Sequence, residues 1–258
     1  MKKSVLCYFG GKTRIRKQII EKFPPHECYI EPFVGGGLIF FFKKPSKFEI
    51  INDKDDNLIC LYEVMKTAPL EFVSMLQYEL YSRRKFERYK GELYESDIEL
   101  TKMEKALRIF YLLKSSYGGI LRNASFKIMT SVKPTLIAKD IKEIMIKASE
   151  RLRTTIIESL DFRELVMRYD RDYSFFYLDP PYHCKGGKSY INTFSDKDFI
   201  DLSNILRNIK GKFLLSLNDD QFIRELFGNF NIEKIPIVYS VNRGNKGKRV
   251  TELLISNY

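Results

Sequence analysis

A chain of 258 residues, 44% of them apolar, can bury one large core or two modest ones, and four irregularly spaced cysteines are too few for a disulfide framework. Cys7, Cys28, Cys60 and Cys184 form no C-x-x-C pair, and with only His26 and His183 beside them they read as buried thiols, so no metal site is expected. The 44 basic and 33 acidic side chains leave a net charge of +11, which favours a polyanionic partner and salt-sensitive binding. The opening MKKSVLCYFGGK has an apolar run too short for a secretory signal or a membrane span, which points to a cytoplasmic protein.

In chain order, YIEPF (29–33), FEIIND (48–53), TTIIESLD (154–161), FFYLD (175–179), FLLSLND (213–219), IPIVYSV (235–241) and TELLISNY (251–258) read as seven strands. Helical patterns alternate with them. In SDKDFIDLSNILRNIKG, Ser195 and Asp198 have capping-box spacing and Gly211 is placed to end the helix. The alternation predicts an α/β fold with a mostly parallel, doubly wound sheet whose ligands bind at the carboxyl ends of the strands.

Residues 58–150 break the rhythm and read as an inserted, mainly helical subdomain, leaving 1–57 and 151–258 as the other domain. Its longest helix is expected in SDIELTKMEKALRIFYLLKSSYGG, starting at the pair Ser96 and Glu99, placing Ile98, Met103, Leu107, Phe110 and Leu113 near one face, and stopping at Gly118 and Gly119.

The first strand runs into EPFVGGGLIFF, where Gly35, Gly36 and Gly37 let the backbone turn sharply and approach a ligand. The next strand ends on Asp53, whose carboxylate suits a pair of ribose hydroxyls, so a nucleoside cofactor is one reading. A plain tight turn, and an Asp53 that only caps the helix beginning near Lys54, are the other. The loop lacks G-x-G-x-x-G spacing, which weakens a nicotinamide cofactor.

YFGGK (8–12), EPFVGGG (31–37), IND (51–53), LDF (160–162) and DPPY (179–182), with YGGILR (117–122) and TELLISNY, stand in the order found in Dam-type DNA adenine-N6 methyltransferases. The sequence resembles that family over nearly its whole length. The resemblance implies a Rossmann-like class I methyltransferase core, with its seven-stranded, mostly parallel sheet, using S-adenosyl-L-methionine. It places Lys12 against the cofactor's carboxylate and gives the glycine loop, with Glu31, Pro32 and Phe33 before it, to the methionine part. Asp53 then takes the ribose and Asp161 with Phe162 the adenine, while Tyr8 and Asp179 line the same pocket.

The DPPY segment then has a chemical role. An adenine amine is a poor nucleophile because its lone pair is delocalised, and two acceptors on its hydrogens draw the nitrogen toward tetrahedral geometry. The Asp179 carboxylate and the Pro180 carbonyl supply them, Pro181 fixes that carbonyl, and Tyr182 offers a face on which a flipped base stacks. His183, next in the chain, reads as a loop histidine facing solvent or phosphate.

In the family, the segment matching SSYGGILRNASFK enters the duplex and reads a guanine with an arginine, here Arg122, flanked by Tyr117, Gly118 and Asn123. Gly118 stands where many relatives carry asparagine, so GATC is the leading target rather than a settled one. In NRGNKGKR, Arg243, Lys246 and Lys248 suit either a solvated hairpin or contacts to phosphates, and YSRRKFERYKGE (81–92) reads as a solvated helix face. The expected partner is double-stranded DNA at the nucleoid, met by a monomer, with a dimer on DNA and a cognate restriction endonuclease as further options. An RNA or protein-amide methyltransferase, or a non-catalytic DNA-binding relative, stays as the alternative.

Overall fold

The computed structural model describes Leu6, residues 12–116, Leu121, residues 124–128, Leu136, and residues 140–183, 194–239 and 248–258, with backbone only for 237–239 and 248–250. Among these residues, β1 (Cys28–Glu31), β2 (Phe48–Asn52), β3 (Ile156–Glu158), β4 (Ser174–Leu178), β5 (Lys212–Asn218), β6 (Asn231–Tyr239) and β7 (Lys248–Ser256) form one seven-stranded sheet in the order β3-β2-β1-β4-β5-β7-β6. The β1–β2, β1–β4 and β4–β5 pairs are parallel, and β5–β7 and β6–β7 are antiparallel. The order turns at β1, which lies between β2 and β4, and this is where open α/β sheets bind ligands. The helices flanking it complete the expected α/β fold.

The chain divides into two compact units: Met1–Gly11, Gly35–Lys43 and Asp53–Ser159 make one, and Lys12–Val34, Lys44–Asn52 and Leu160–Tyr258 the other.

In the second unit every residue of β4 is buried, as its unbroken apolar run requires of a strand covered on both faces. Phe176 and Leu178 join Phe213, Leu215, Leu217, Leu253 and Ile255 beneath apolar residues of α8 (Phe162–Tyr169), α9 (Asp196–Arg207) and α10 (Gln221–Leu226). Phe175 and Tyr177 point the other way, where Phe23 packs edge-on to Phe175 at 4.6 Å between ring centroids. Each such side chain, fully buried, contributes about 1.5–3 kcal/mol.

The Ser195 and Asp198 capping box opens α9 as expected. Burial alone would raise the Asp198 carboxyl, but hydrogen bonds from Arg163 and Ser195 outweigh it and bring it down to about 2. The helix ends at Arg207 with Asn208 as its cap, so Gly211 is not the stop that its position suggested. Gly211 instead enters β5 against the preceding turn, where a Cβ would come within 2.6 Å of the Ser174 carbonyl oxygen.

In the first unit, α3 (Asp56–Thr67), α4 (Pro69–Leu76) and α5 (Arg83–Tyr94) pack against α6 (Lys102–Ser115), and α7 (Ile141–Leu152) packs on α3 and α4. Ala106, Leu107 and the whole run from Ile109 to Leu113 are buried, so α6 is a core helix rather than one with a single apolar stripe. Its start also differs from the Ser96–Glu99 expectation: Thr101 and Glu104 form the capping box, and Ile98 stands outside the helix, 56% exposed. Ser96 is engaged elsewhere, its hydroxyl donating to the Glu92 carbonyl at the end of α5. The basic run 81–92 falls largely on α5, which buries Phe86 and Tyr89 and exposes Arg83 and Arg84.

One buried side chain ties three strand ends of the second unit together. Asn52, 1% exposed, donates to the Pro32 carbonyl at 2.9 Å and the Leu160 carbonyl at 3.0 Å, and accepts from the Leu160 amide at 2.8 Å. The EPF, IND and LDF segments are thereby joined by one carboxamide. Asn52→Leu leaves three buried backbone groups without partners and is expected to lower unfolding free energy by about 2–4 kcal/mol in urea titrations followed by circular dichroism, against about 1 kcal/mol for Thr101→Ala.

Candidate active site

In the first unit, the glycine turn is held at both of its polar groups. Gly35 and Gly37 have φ of 47° and 63°, a region that residues with a Cβ rarely adopt. The Gly35 amide donates to Asp53 Oδ2 at 3.0 Å, and its carbonyl accepts from the Tyr62 hydroxyl at 2.7 Å. At Gly37 a Cβ would stand 2.8 Å from that same hydroxyl, so the glycine is required by packing as well as by φ.

Asp53 is not a helix cap. The helix α3 starts at Asp56 and is capped by Asp55, which accepts from the Asn57 amide at 3.1 Å. Asp53 Oδ1 accepts from the Asp55 amide at 3.0 Å, so the carboxylate is held by backbone donors and keeps acceptor capacity for a further partner. Burial pushes its carboxyl up to about 6, against the lowering effect of the backbone hydrogen bonds.

In the second unit, a polar cluster lies at the carboxyl end of β4. Lys12, expected to face a carboxylate of the cofactor, here faces two of the chain's own: its ammonium donates to Asp179 Oδ1 and lies 2.9 Å from Glu252 Oε1, with a further hydrogen bond of 2.7 Å to Ser216 Oγ. Burial alone would lower the Lys12 pKa, yet Asp179 and Glu252 together raise it, so the lysine is held charged. The Asp179 carboxyl is raised from its ordinary value, by burial first and by Glu252, while Lys12 works against both.

The Tyr182 ring lies beside the same ammonium, 5.3 Å from its centroid. Its hydroxyl donates to Glu252 Oε2 at 2.9 Å, and the Ser216 hydroxyl donates to Glu252 Oε1 at 2.7 Å. Pro180 is buried and Pro181 exposed between these two anchored residues.

The remaining predicted residues of this unit have structural ties of their own. Glu31 is buried and accepts from the Tyr29 hydroxyl at 2.6 Å. Pro32 offers its carbonyl to Asn52. Phe33 packs on Phe162, 5.7 Å between centroids, and Asp161 caps α8 by accepting from the Arg163 amide at 3.0 Å. The Arg163 guanidinium covers the Phe162 ring at 4.4 Å and pairs with Asp161, Asp198 and Asp201.

His183 departs from the solvent-facing reading. Its side chain is 11% exposed, with Nδ1 3.0 Å from Asp220 Oδ1 and Nε2 3.3 Å from Asp196 Oδ1. It stacks on Phe222 of α10 at 4.7 Å and meets Phe199 of α9 edge-on at 5.7 Å, so the ring is enclosed by side chains of two later helices. Tyr8, Tyr117, Gly118, Arg122, Asn123, Arg243 and Lys246 lie outside the described residues, as does the side chain of Lys248.

Three residues that sequence reading did not single out prove central: Asn52, Ser216 and Glu252. The signal for Glu252 was present, since TELLISNY alternates with period two and sets a carboxylate on the same face as Leu254.

Comparison with known proteins agrees with this chemistry. The family model for D12 class N6 adenine-specific DNA methyltransferase matches residues 8–241. The Type II methyltransferase M.MjaIII of Methanocaldococcus jannaschii is 31% identical over 287 residues, covering 99% of both chains. The Type II methyltransferase M1.LlaDCHI of Lactococcus lactis subsp. cremoris is 30% identical, covering 96% of this chain and 93% of its own. The DNA adenine methylase of Escherichia coli is 24% identical, covering 98% and 94%. With the DPPY turn at the end of β4 and a family match over nearly its full length, the chain belongs to the D12 class of N6 adenine-specific DNA methyltransferases, the Dam-type enzymes that modify adenine at specific DNA sites.

Proposed function

We propose that the protein transfers a methyl group from S-adenosyl-L-methionine to the exocyclic amine of an adenine flipped out of a short double-stranded motif, with GATC the leading target. The observation that carries this reading is the anchored DPPY segment. Lys12 holds Asp179 through Oδ1, while Oδ2 takes no hydrogen bond among the described residues and remains an acceptor for one amine hydrogen. The Pro180 carbonyl takes the other. Tyr182, tied by its hydroxyl to Glu252, presents a ring face on which the base stacks.

The donor set of the first unit fits the cofactor. A ribose diol offers two hydroxyl donors, and Asp53 retains acceptor capacity beside a glycine turn with no side chains in the way. When bound, the cofactor supplies an electrophilic methyl on a sulfonium. The chain's part is to orient the amine by charge and geometry, with no covalent enzyme intermediate. Asp161 and Phe162 are assigned to the adenine of the cofactor, and Tyr8, Glu31, Pro32 and Phe33 to the walls of its site.

Target reading is assigned to the helical region 58–150, with Arg122 pairing to a guanine and Tyr117, Gly118 and Asn123 beside it. Arg243, Lys246 and Lys248 are assigned to phosphates, in line with the net charge of +11. The site of action is the nucleoid in the cytoplasm, and among the described residues no helix is long and apolar enough to cross a membrane. A restriction endonuclease of matching specificity is the partner this reading implies.

Base-resolution modification mapping of DNA from a methylation-free bacterial host, with and without the protein expressed, tests the reaction and the target together. N6-methyladenine confined to one short motif is expected. A blank map from folded protein that binds S-adenosyl-L-methionine moves the assignment to RNA or protein amides, or to a non-catalytic role.

Two further outcomes follow. Asp179→Ala is expected to lower kcat by at least about 100-fold in a tritium-transfer assay, as for loss of one preorganised electrostatic group. Because the Asp53 carboxyl is raised to about 6, it is largely protonated at lower pH and loses the charge that favours the diol. Cofactor affinity by calorimetry is therefore expected to rise with pH through 6 and level off above it, and Asp53→Asn to flatten that slope.

A further inference from the structure

Glu252 is a carboxylate with no exposure at all in the middle of a sheet, between β5 and β6 on a strand where the three residues after it, Leu253, Leu254 and Ile255, are buried and apolar. Burying such a charge costs several kcal/mol unless it is paired and hydrogen-bonded, and an apolar residue would serve the packing at lower cost. Its partners reveal what it is for. The register sets Glu252 opposite Asn218 and diagonal to Ser216, so both its oxygens reach the polar cluster at the end of β4. Oε1 accepts from Ser216 and faces Lys12, Oε2 accepts from Tyr182, and the Tyr182 hydroxyl also lies 3.2 Å from Oε1.

We propose that Glu252 is a positioning residue for methyl transfer, resting on the assignment of Asp179 and Tyr182 above. Through the phenolic oxygen it fixes the plane of the Tyr182 ring, and so the plane in which a flipped adenine stacks. Through Lys12 it sets where the ammonium stands: drawn between two carboxylates, the lysine is confined to Asp179 Oδ1 and leaves the acceptor role to Oδ2. Ser216 keeps both halves in register, accepting from Lys12 and donating to Glu252. One carboxylate thereby aligns both the face on which the base rests and the acceptor its amine meets.

The test uses the full chain and a duplex carrying the motif found by mapping, with 2-aminopurine in place of the target adenine to report the stacking of the extruded base. Glu252→Gln keeps an acceptor for Tyr182 and removes the charge that holds Lys12. Tyr182→Phe keeps the ring and removes only the hydroxyl that Glu252 holds. Expected are a fall in kcat of about 10–100-fold for Glu252→Gln, with cofactor Kd within about twofold, and a smaller fall for Tyr182→Phe with altered 2-aminopurine emission in the complex. The double variant is expected to be less impaired than the product of the two singles, because the groups act as a unit.

A folded Glu252→Gln enzyme with unchanged kcat overturns the proposal. So does one whose losses in cofactor binding and thermal stability account for its lost activity, since that marks a structural role only. Should Glu252→Gln fail to fold, Tyr182→Phe decides alone, and unchanged turnover with unchanged emission overturns the proposal. Asp179→Ala, run alongside, separates the two levels: if it turns over normally the amine clamp itself fails, whatever Glu252 does.

Discussion

The Lys12 ammonium, 3% exposed, stands between Asp179 and Glu252, and the polar face of the second unit is arranged around that contact. Two unit charges 4 Å apart attract by about 4 kcal/mol at an effective dielectric of 20, and removing one member of a buried pair costs about 3–5 kcal/mol. The directions of the shifts show which effect wins at each site. For Lys12 the two carboxylates overcome desolvation; for Asp179 desolvation, aided by Glu252, overcomes the lysine. The charge that an incoming amine meets therefore belongs to the cluster and not to Asp179 alone.

Three aspartates near strand or helix ends show how surroundings divide the labour. Asp198 sits against Arg163 and is drawn down to about 2, where it serves as a cap and an ion-pair partner. Asp161 shares that arginine and caps α8. Among the described residues Asp53 accepts from backbone amides of its unit, and burial raises it to about 6. A carboxylate bound by an arginine has little left for a neutral ligand. One bound by backbone amides still has a lone pair to give, which supports the proposal that Asp53 takes a diol.

The seven strands were legible because each is an apolar run bounded by polar turns, and the Ser195–Asp198 cap because its two residues are spent on one another. The Ser96–Glu99 pair has the same spacing and failed, since a hydroxyl satisfies whichever helix end is nearer, here the carboxyl end of α5. Asp53, Asp179 and Tyr182 were readable from strand ends and the DPPY motif. Asn52 and Glu252 were not singled out, because their meaning lies in partners more than a hundred residues and seventy residues away. His183 was misplaced for the same reason: Asp196 and Asp220, which enclose it, lie on two later helices, and no local pattern announces them.

The antiparallel strand explains how a distant carboxylate reaches the catalytic end of the sheet. In a parallel sheet the residues near a strand's start lie at the edge away from the ligand. Because β7 runs against β5, its central residue Glu252 pairs with Asn218, the last residue of β5, and so comes level with the carboxyl ends of the parallel strands. The β6–β7 pairing continues four residues past this level, to Tyr239 and Lys248. Reversing one strand thus brings to that level a buried acid beside Tyr182, which an all-parallel sheet would have to draw from elsewhere.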